Sequence, residues 1–324
     1  EKYTHIKDEL FMMHNLAIRL SKLRHDRGSL DFDLDEAYIT LDENGIPSGI
    51  GIAQRRSANK LIEEFMLLAN ETVAEHFYWM ETPFVYRVHE KPAADKVEQL
   101  RIFLKGFGIT LRGNADGIHP KAICSVLDSA KGKPGEDVVN SVTLRSMQKA
   151  FYSTSCEGHF GLALKYYCHF TSPIRRYPDL MIHRIIKQSI HEGLSDKALK
   201  HFRKKAEYAA DQSSIAERKA VEAEREVEKL KKAEYISYHV GEIFDGVISG
   251  VTGFGIYVQL ENTVEGLVRI DELRDDYYDY HKEKYALEGR RTGNVYRLGD
   301  EVRVIVDHVD LEKHEIDFLI AGHL

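Results

Sequence analysis

Cysteine is scarce. Cys124, Cys156 and Cys168 are scattered over 324 residues with no CxxC pair among them. An odd, unspaced set excludes a disulfide framework, offers no zinc-ligand pattern and predicts a reducing, cytoplasmic setting. No apolar run reaches the roughly 18 residues that a spanning helix needs, so no membrane role is expected. No signal peptide is visible, and Glu1 is read as something other than a natural start. An overall positive charge is also missing: 45 Lys and Arg stand against 52 Asp and Glu, a formal net charge of -7. That weighs only lightly against a polyanionic partner, because such binding follows local patches more than totals. What remains is ordinary globular composition, 43% hydrophobic and 30% charged, at a length that favours two domains.

One stretch reverses the charge. Between Arg145 and Lys187 the basic residues are Arg145, Lys149, Lys165, Arg175, Arg176, Arg184 and Lys187, and the only acids are Glu157 and Asp179. Phe151, Tyr152, Phe160, Tyr166, Tyr167, Phe170 and Tyr177 are interleaved with them. Cations among flat rings suit a polyanion whose bases can stack, which points to single-stranded nucleic acid. Pro173 makes Ser172 extended, and Pro178 suits the first turn of a helix carrying Asp179, His183 and Arg184. Adjacent Arg175 and Arg176 cannot both face one ligand from a helix. One suits a phosphate and the other an acid such as Asp179.

The run HFTSPIRRYPDLMIHR at 169–184 resembles the signature of the RNB family, 3'→5' exoribonucleases of the ribonuclease II and R type. The likeness extends to LDFD at 30–33, LIEEFMLLANETVAEHF at 61–77, FVYRVHEKP at 84–92 and the C-terminal segment. The family's catalytic aspartate cluster is absent, and in the family it lies upstream of anything present here. The resemblance therefore implies an α+β fold: the C-terminal half of an RNB catalytic domain over 1–236, a mixed sheet with helices, then a five-stranded OB-fold β-barrel over 239–320. It implies hydrolysis of RNA from the 3' end to nucleoside 5'-monophosphates, with Mg²⁺ held mainly by aspartates outside this chain. Arg175 would neutralise the transition state. Glu63 or Glu64 would check the ribose 2'-OH, and Glu224 would lie near the active site. A monomer is expected, binding single-stranded RNA but inactive alone.

The other assignments rest on residue type. Residues 1–27 and 56–80 read as amphipathic helices, 30–41 as a strand, 94–106 and 144–152 as helices, and 195–236 as a long charged helix opening at Ser195. Glu63 and Glu64 sit near a helix start, where the dipole favours exposed carboxylates. Thr171 and Ser172 offer hydroxyls to a phosphate or cap the local backbone. His159 lies in a turn that could touch phosphate. Tyr152 and Tyr167 are base or sugar contacts or core rings. Strands are expected at 240–246, 247–249, 255–260, 264–268 and 302–309. On them Phe254 and Tyr257 would stack bases, and Arg269 would meet a phosphate. Two rival readings stand: an RNA-binding protein without catalysis, and a DNA nuclease holding metal on Asp31, Asp33 and Asp35.

Overall fold

The computed structural model describes residues 4–32, 36–133 and 135–323. Helix α1, Lys7–Arg27, ends at Gly28, whose φ of 104° lies in the left-handed region. A Cβ there would meet the Lys121 backbone at 2.7 Å, so glycine lets this helix end press onto a later helix. The hairpin β1, Ala37–Leu41, and β2, Pro47–Ile52, follows. The strand expected over 30–41 is therefore shorter. Leu30 precedes it as a buried loop residue, donating its backbone N–H to Gly161 O. Helix α2, Ser57–Trp79, inserts Ala74 and Phe77 into the core.

Strand β3, Tyr86–Val88, precedes helices α3, Ala94–Gly106, α4, Pro120–Ala130, and α5, Glu136–Arg145. The helix expected over 144–152 is not formed. Instead α5 stops at Arg145, and β4, Phe151–Ser153, pairs antiparallel with β3. Tertiary pairing with a strand some sixty residues earlier outweighs local propensity there. Helix α6, Tyr177–His191, has proline in its first turn. Helix α7, Asp196–Ser237, is capped by the Ser195 hydroxyl accepting from the Ala198 N–H.

At about 1.5 Å per residue this 42-residue helix spans roughly 60 Å. It joins two cores. Phe202, Ala206, Ala209 and Ala210 pack with α2, β3, β4 and α6, while Ala233 and Ile236 join a cluster that runs from α3–α5 into the C-terminal strands. Among the described residues before Ser237, strands form only the pairs β1–β2 and β3–β4, so the expected mixed sheet is not present there.

The C-terminal strands are β5, Ile243–Thr252, β6, Gly255–Leu260, β7, Glu265–Arg269, then β8, Tyr278–His281, β9, Ala286–Gly289, β10, Val295–Arg297, and finally β11, Glu301–Asp310, and β12, Glu315–His323. Strands β11, β12, β7, β6 and β5 close a barrel in that order. The two strands expected over 240–249 are one, β5, which bulges between Ile248 and Gly250. The fifth barrel strand is β12, unanticipated in the sequence, which closes the barrel against β11 and β7. Gly266 on β7 makes room for this closure, since a Cβ there would strike the Phe318 ring at 2.6 Å. Between β7 and β11 the chain forms the separate sheet β10-β9-β8.

Candidate nucleic-acid interface

The turn before α6 is built around Asp179, which is 0% exposed. Its carboxylate accepts from the Ser172 N–H at 2.7 Å and from Arg176 Nε and Nη2 at 3.0 and 2.8 Å. The acid partner expected for one arginine is thus Asp179, and Arg176 takes it. That two-point grip uses the face that would otherwise fork a phosphate. Arg175 and Ile174 project outward, the latter 101% exposed, and no ion pair holds Arg175 among the described residues. Locking one arginine leaves its neighbour open to solvent. Arg184, two turns into α6, is exposed and likewise in no ion pair among the described residues. Thr171 Oγ1 is buried without a hydrogen-bond partner.

Behind this turn lies a buried polar relay. Asn70 donates to Tyr167 Oη at 3.2 Å and accepts the Phe170 N–H at 2.9 Å. Tyr152 Oη meets His169 Nδ1 at 2.9 Å. The Arg87 guanidinium lies 4.6 Å from the Tyr152 ring centre and pairs with Glu217 at 2.6 Å. Burial first, then the positive charge of Arg176 and Arg87, pushes His169 down to about 2. Burial and His89 push His159 down to about 3.

Several expected contacts change character here. Tyr152 and Tyr167 are each 5% exposed, so both rings pack mainly in the core, Tyr152 at the wall of a groove. Neutral His159 accepts the Leu162 N–H through Nδ1 and so shapes its own turn; it brings no charge to a phosphate. Glu64, read as an exposed carboxylate at a helix start, is 6% exposed and clamped by Arg24 at 2.9 Å. Glu63 pairs with Arg55. Both line a cavity of about 420 Å³ between α1 and α2. Asp31 pairs with Arg24 at 3.3 Å and faces Arg55 at 3.6 Å, which removes it from an open metal cluster. Asp33 and Asp35 lie outside the described residues.

Two grooves open along α7. One, of about 810 Å³, lies between the helix and the barrel and is lined by Arg225, Lys229, Lys232, Phe254, Tyr257 and Arg269, among others. Phe254 is 55% exposed and sits edge-on to Tyr257, their centroids 6.2 Å apart at 88°. Arg269 is held by Asp317 at 3.2 Å. The second groove, of about 990 Å³, includes Arg87, Lys149, Phe151, Tyr152, Arg218 and again Arg225. Acids line both grooves too, so neither is purely cationic. Arg225 carries no ion pair among the described residues and stands where the two meet. Glu224 beside it is exposed and in no ion pair among the described residues.

The profile of the RNB domain matches residues 1–192, and that of the S1 RNA binding domain matches 237–321. The chain belongs to the RNB family. Ribonuclease R 1 of Lactococcus lactis is 46% identical over 98% of this RNB chain and 39% of its own length. Ribonuclease R of Aquifex aeolicus is 42% identical over 100% of this chain and 46% of its own. The chain thus spans less than half the length of these curated relatives. The structure of Mycoplasma genitalium RNase R in complex with ribose methylated single-stranded RNA superposes with a TM-score of 0.91 at 31% identity, covering 97% of this chain and 50% of that one.

In this RNB chain the polar turn and, apart from Glu217, the relay fall within the RNB match, and the Phe254–Tyr257 pair falls within the S1 match. Sequence reasoning missed Arg87, Glu217, Arg225, Lys229 and Lys232. The last three had a signal: Arg218, Arg225, Lys229 and Lys232 recur at steps of seven, four and three, which puts them on one face of α7. Arg87 and Glu217 had none, being 130 residues apart.

Proposed function

We propose that this chain is the RNA-gripping part of a processive 3'→5' exoribonuclease of the ribonuclease R type. Residues 1–236 serve as the RNB catalytic region and 239–320 as an OB-fold module for single-stranded RNA. The observation that carries this is the run of two grooves meeting at Arg225. It leads from the Phe254–Tyr257 rings along α7 to Arg87, Lys149 and Tyr152 at the edge of the polar relay. Bases stack at the barrel end with sequence tolerance, and phosphates follow the cations of α7.

Arg175 stabilises the charge that builds on the phosphoryl oxygens when the terminal phosphodiester is hydrolysed. Its geometry suits this, because Asp179 fixes the turn and leaves the neighbouring guanidinium uncommitted. Mg²⁺ does not fit the site carboxylates that arginines already hold. Glu63, Glu64, Asp179 and Glu217 are each bound by an arginine, and a hard cation needs free oxygen ligands. This chain by itself therefore binds poly(A) without degrading it.

Three substitutions test the reading. Phe254→Ala and Arg225→Ala should each lower poly(A) affinity of this chain, the first by about 1–3 kcal/mol. Undiminished affinity in both removes the groove from the RNA path. Arg175→Ala in the full-length enzyme should cut kcat far more than RNA affinity, and an unchanged kcat removes its role.

A further inference from the structure

A second cluster, away from the RNA grooves, joins α1 to α4. His25 lies in the last turn of α1. Cys124 and Asp128 stand one helical turn apart on α4, so both side chains leave the same face. Cys124 Sγ is 3.8 Å from His25 Nδ1 and 3.9 Å from Asp128 Oδ2, and His25 Nε2 is 3.3 Å from Asp128 Oδ2. One ligand atom from each residue lies within 4.8 Å of the other two. The close approach permitted at Gly28 brings His25 over α4.

We propose that His25, Cys124 and Asp128 form a zinc-class site that staples the C-terminal end of α1 to α4. The ligand set is thiolate, imidazole and carboxylate, the donors that Zn²⁺ takes with tetrahedral geometry. Usual Zn–S, Zn–N and Zn–O bond lengths place tetrahedral ligand atoms about 3.3–3.6 Å apart. A metal takes only one imidazole nitrogen, and with one atom chosen from each residue the three lie within 4.8 Å of one another, so binding draws the exposed His25 and Asp128 side chains inward by up to roughly an ångström. The charges balance: one thiolate and one carboxylate neutralise a dication. Binding releases the thiol proton to solvent. His25 and Asp128 are about half exposed, which leaves an open side for water as the fourth ligand. Cys124 itself is 5% exposed, too enclosed for a disulfide partner but in contact with both other donors. Metal here would fix the turn of α1 that carries Arg24 and its hold on Glu64.

Cobalt titration of the untagged chain tests this, because Co²⁺ replaces Zn²⁺ and reports its ligands optically. The expected result is a thiolate-to-cobalt charge-transfer band in the near ultraviolet at one equivalent, displaced by Zn²⁺. Cys124→Ser should abolish the band. Asp128→Asn and His25→Ala, both at exposed positions, should keep the fold and weaken Co²⁺ affinity at least tenfold. Cys156→Ser should change nothing. No band in the parent chain, a band that survives in Cys124→Ser, or unaltered affinity in both exposed variants each overturns the proposal.

Discussion

Replacing Asp179 by Asn tests the claim that one buried carboxylate organises the arginine turn. Asparagine keeps an oxygen for the Ser172 N–H but turns an amide NH₂ toward the Arg176 guanidinium. Removing one partner from a buried ion pair costs about 3–5 kcal/mol, because the other charge is left uncompensated. Arg176 is 19% exposed, so water recovers part of its hydration. The expected loss is then about 2–4 kcal/mol. Urea unfolding followed by circular dichroism measures it as a lowered midpoint at unchanged slope. Combining Asp179→Asn with Arg176→Met should cost less than the two single changes added together, by about 1–3 kcal/mol, since the double variant leaves no stranded charge. The loosened turn should also weaken RNA binding, because it carries Arg175. A loss under about 1 kcal/mol, or strict additivity in the cycle, would falsify the anchoring role.

Further outcomes follow from the same region. Thr171→Val should be neutral or stabilising by up to about 1 kcal/mol, since the Oγ1 it removes is buried without a partner; destabilisation beyond that in thermal unfolding would mean the hydroxyl is satisfied in solution. The buried imidazoles set a pH dependence. His169 and His159 are held down to about 2 and about 3, chiefly by burial, and so stay neutral in the folded chain. Unfolded, they protonate below about pH 6.5. Between these values the unfolded state binds more protons, so stability falls as pH drops from about 6.5 toward 3. By about pH 5 each histidine costs roughly 2 kcal/mol relative to neutral pH. His169→Asn should shrink that drop in denaturation midpoint, and an identical drop in variant and parent would count against it.

Local sequence determined more of this protein than its net charge suggests. Helices α2, α3, α6 and α7 were legible because each carries its own apolar period and start signal, down to Pro178 and Ser195. The cationic, aromatic run between Arg145 and Lys187 was legible in the same way, as a composition that suits a nucleic-acid partner. Tertiary structure alone decided which of those residues face outward. Arg175 and Arg176 are identical as letters, and only the placement of Asp179 locks one and frees the other. Tyr152 and Tyr167 carry rings fit for stacking, yet a strand pairing with β3 and contacts with α2 and α7 turned them inward. Glu64 met Arg24 across 40 residues, and His25 met Cys124 across 99. Spacing along a chain reports neighbours within a turn or a strand. It is silent on partners that only packing brings together, and those partners set the charge and exposure on which binding depends.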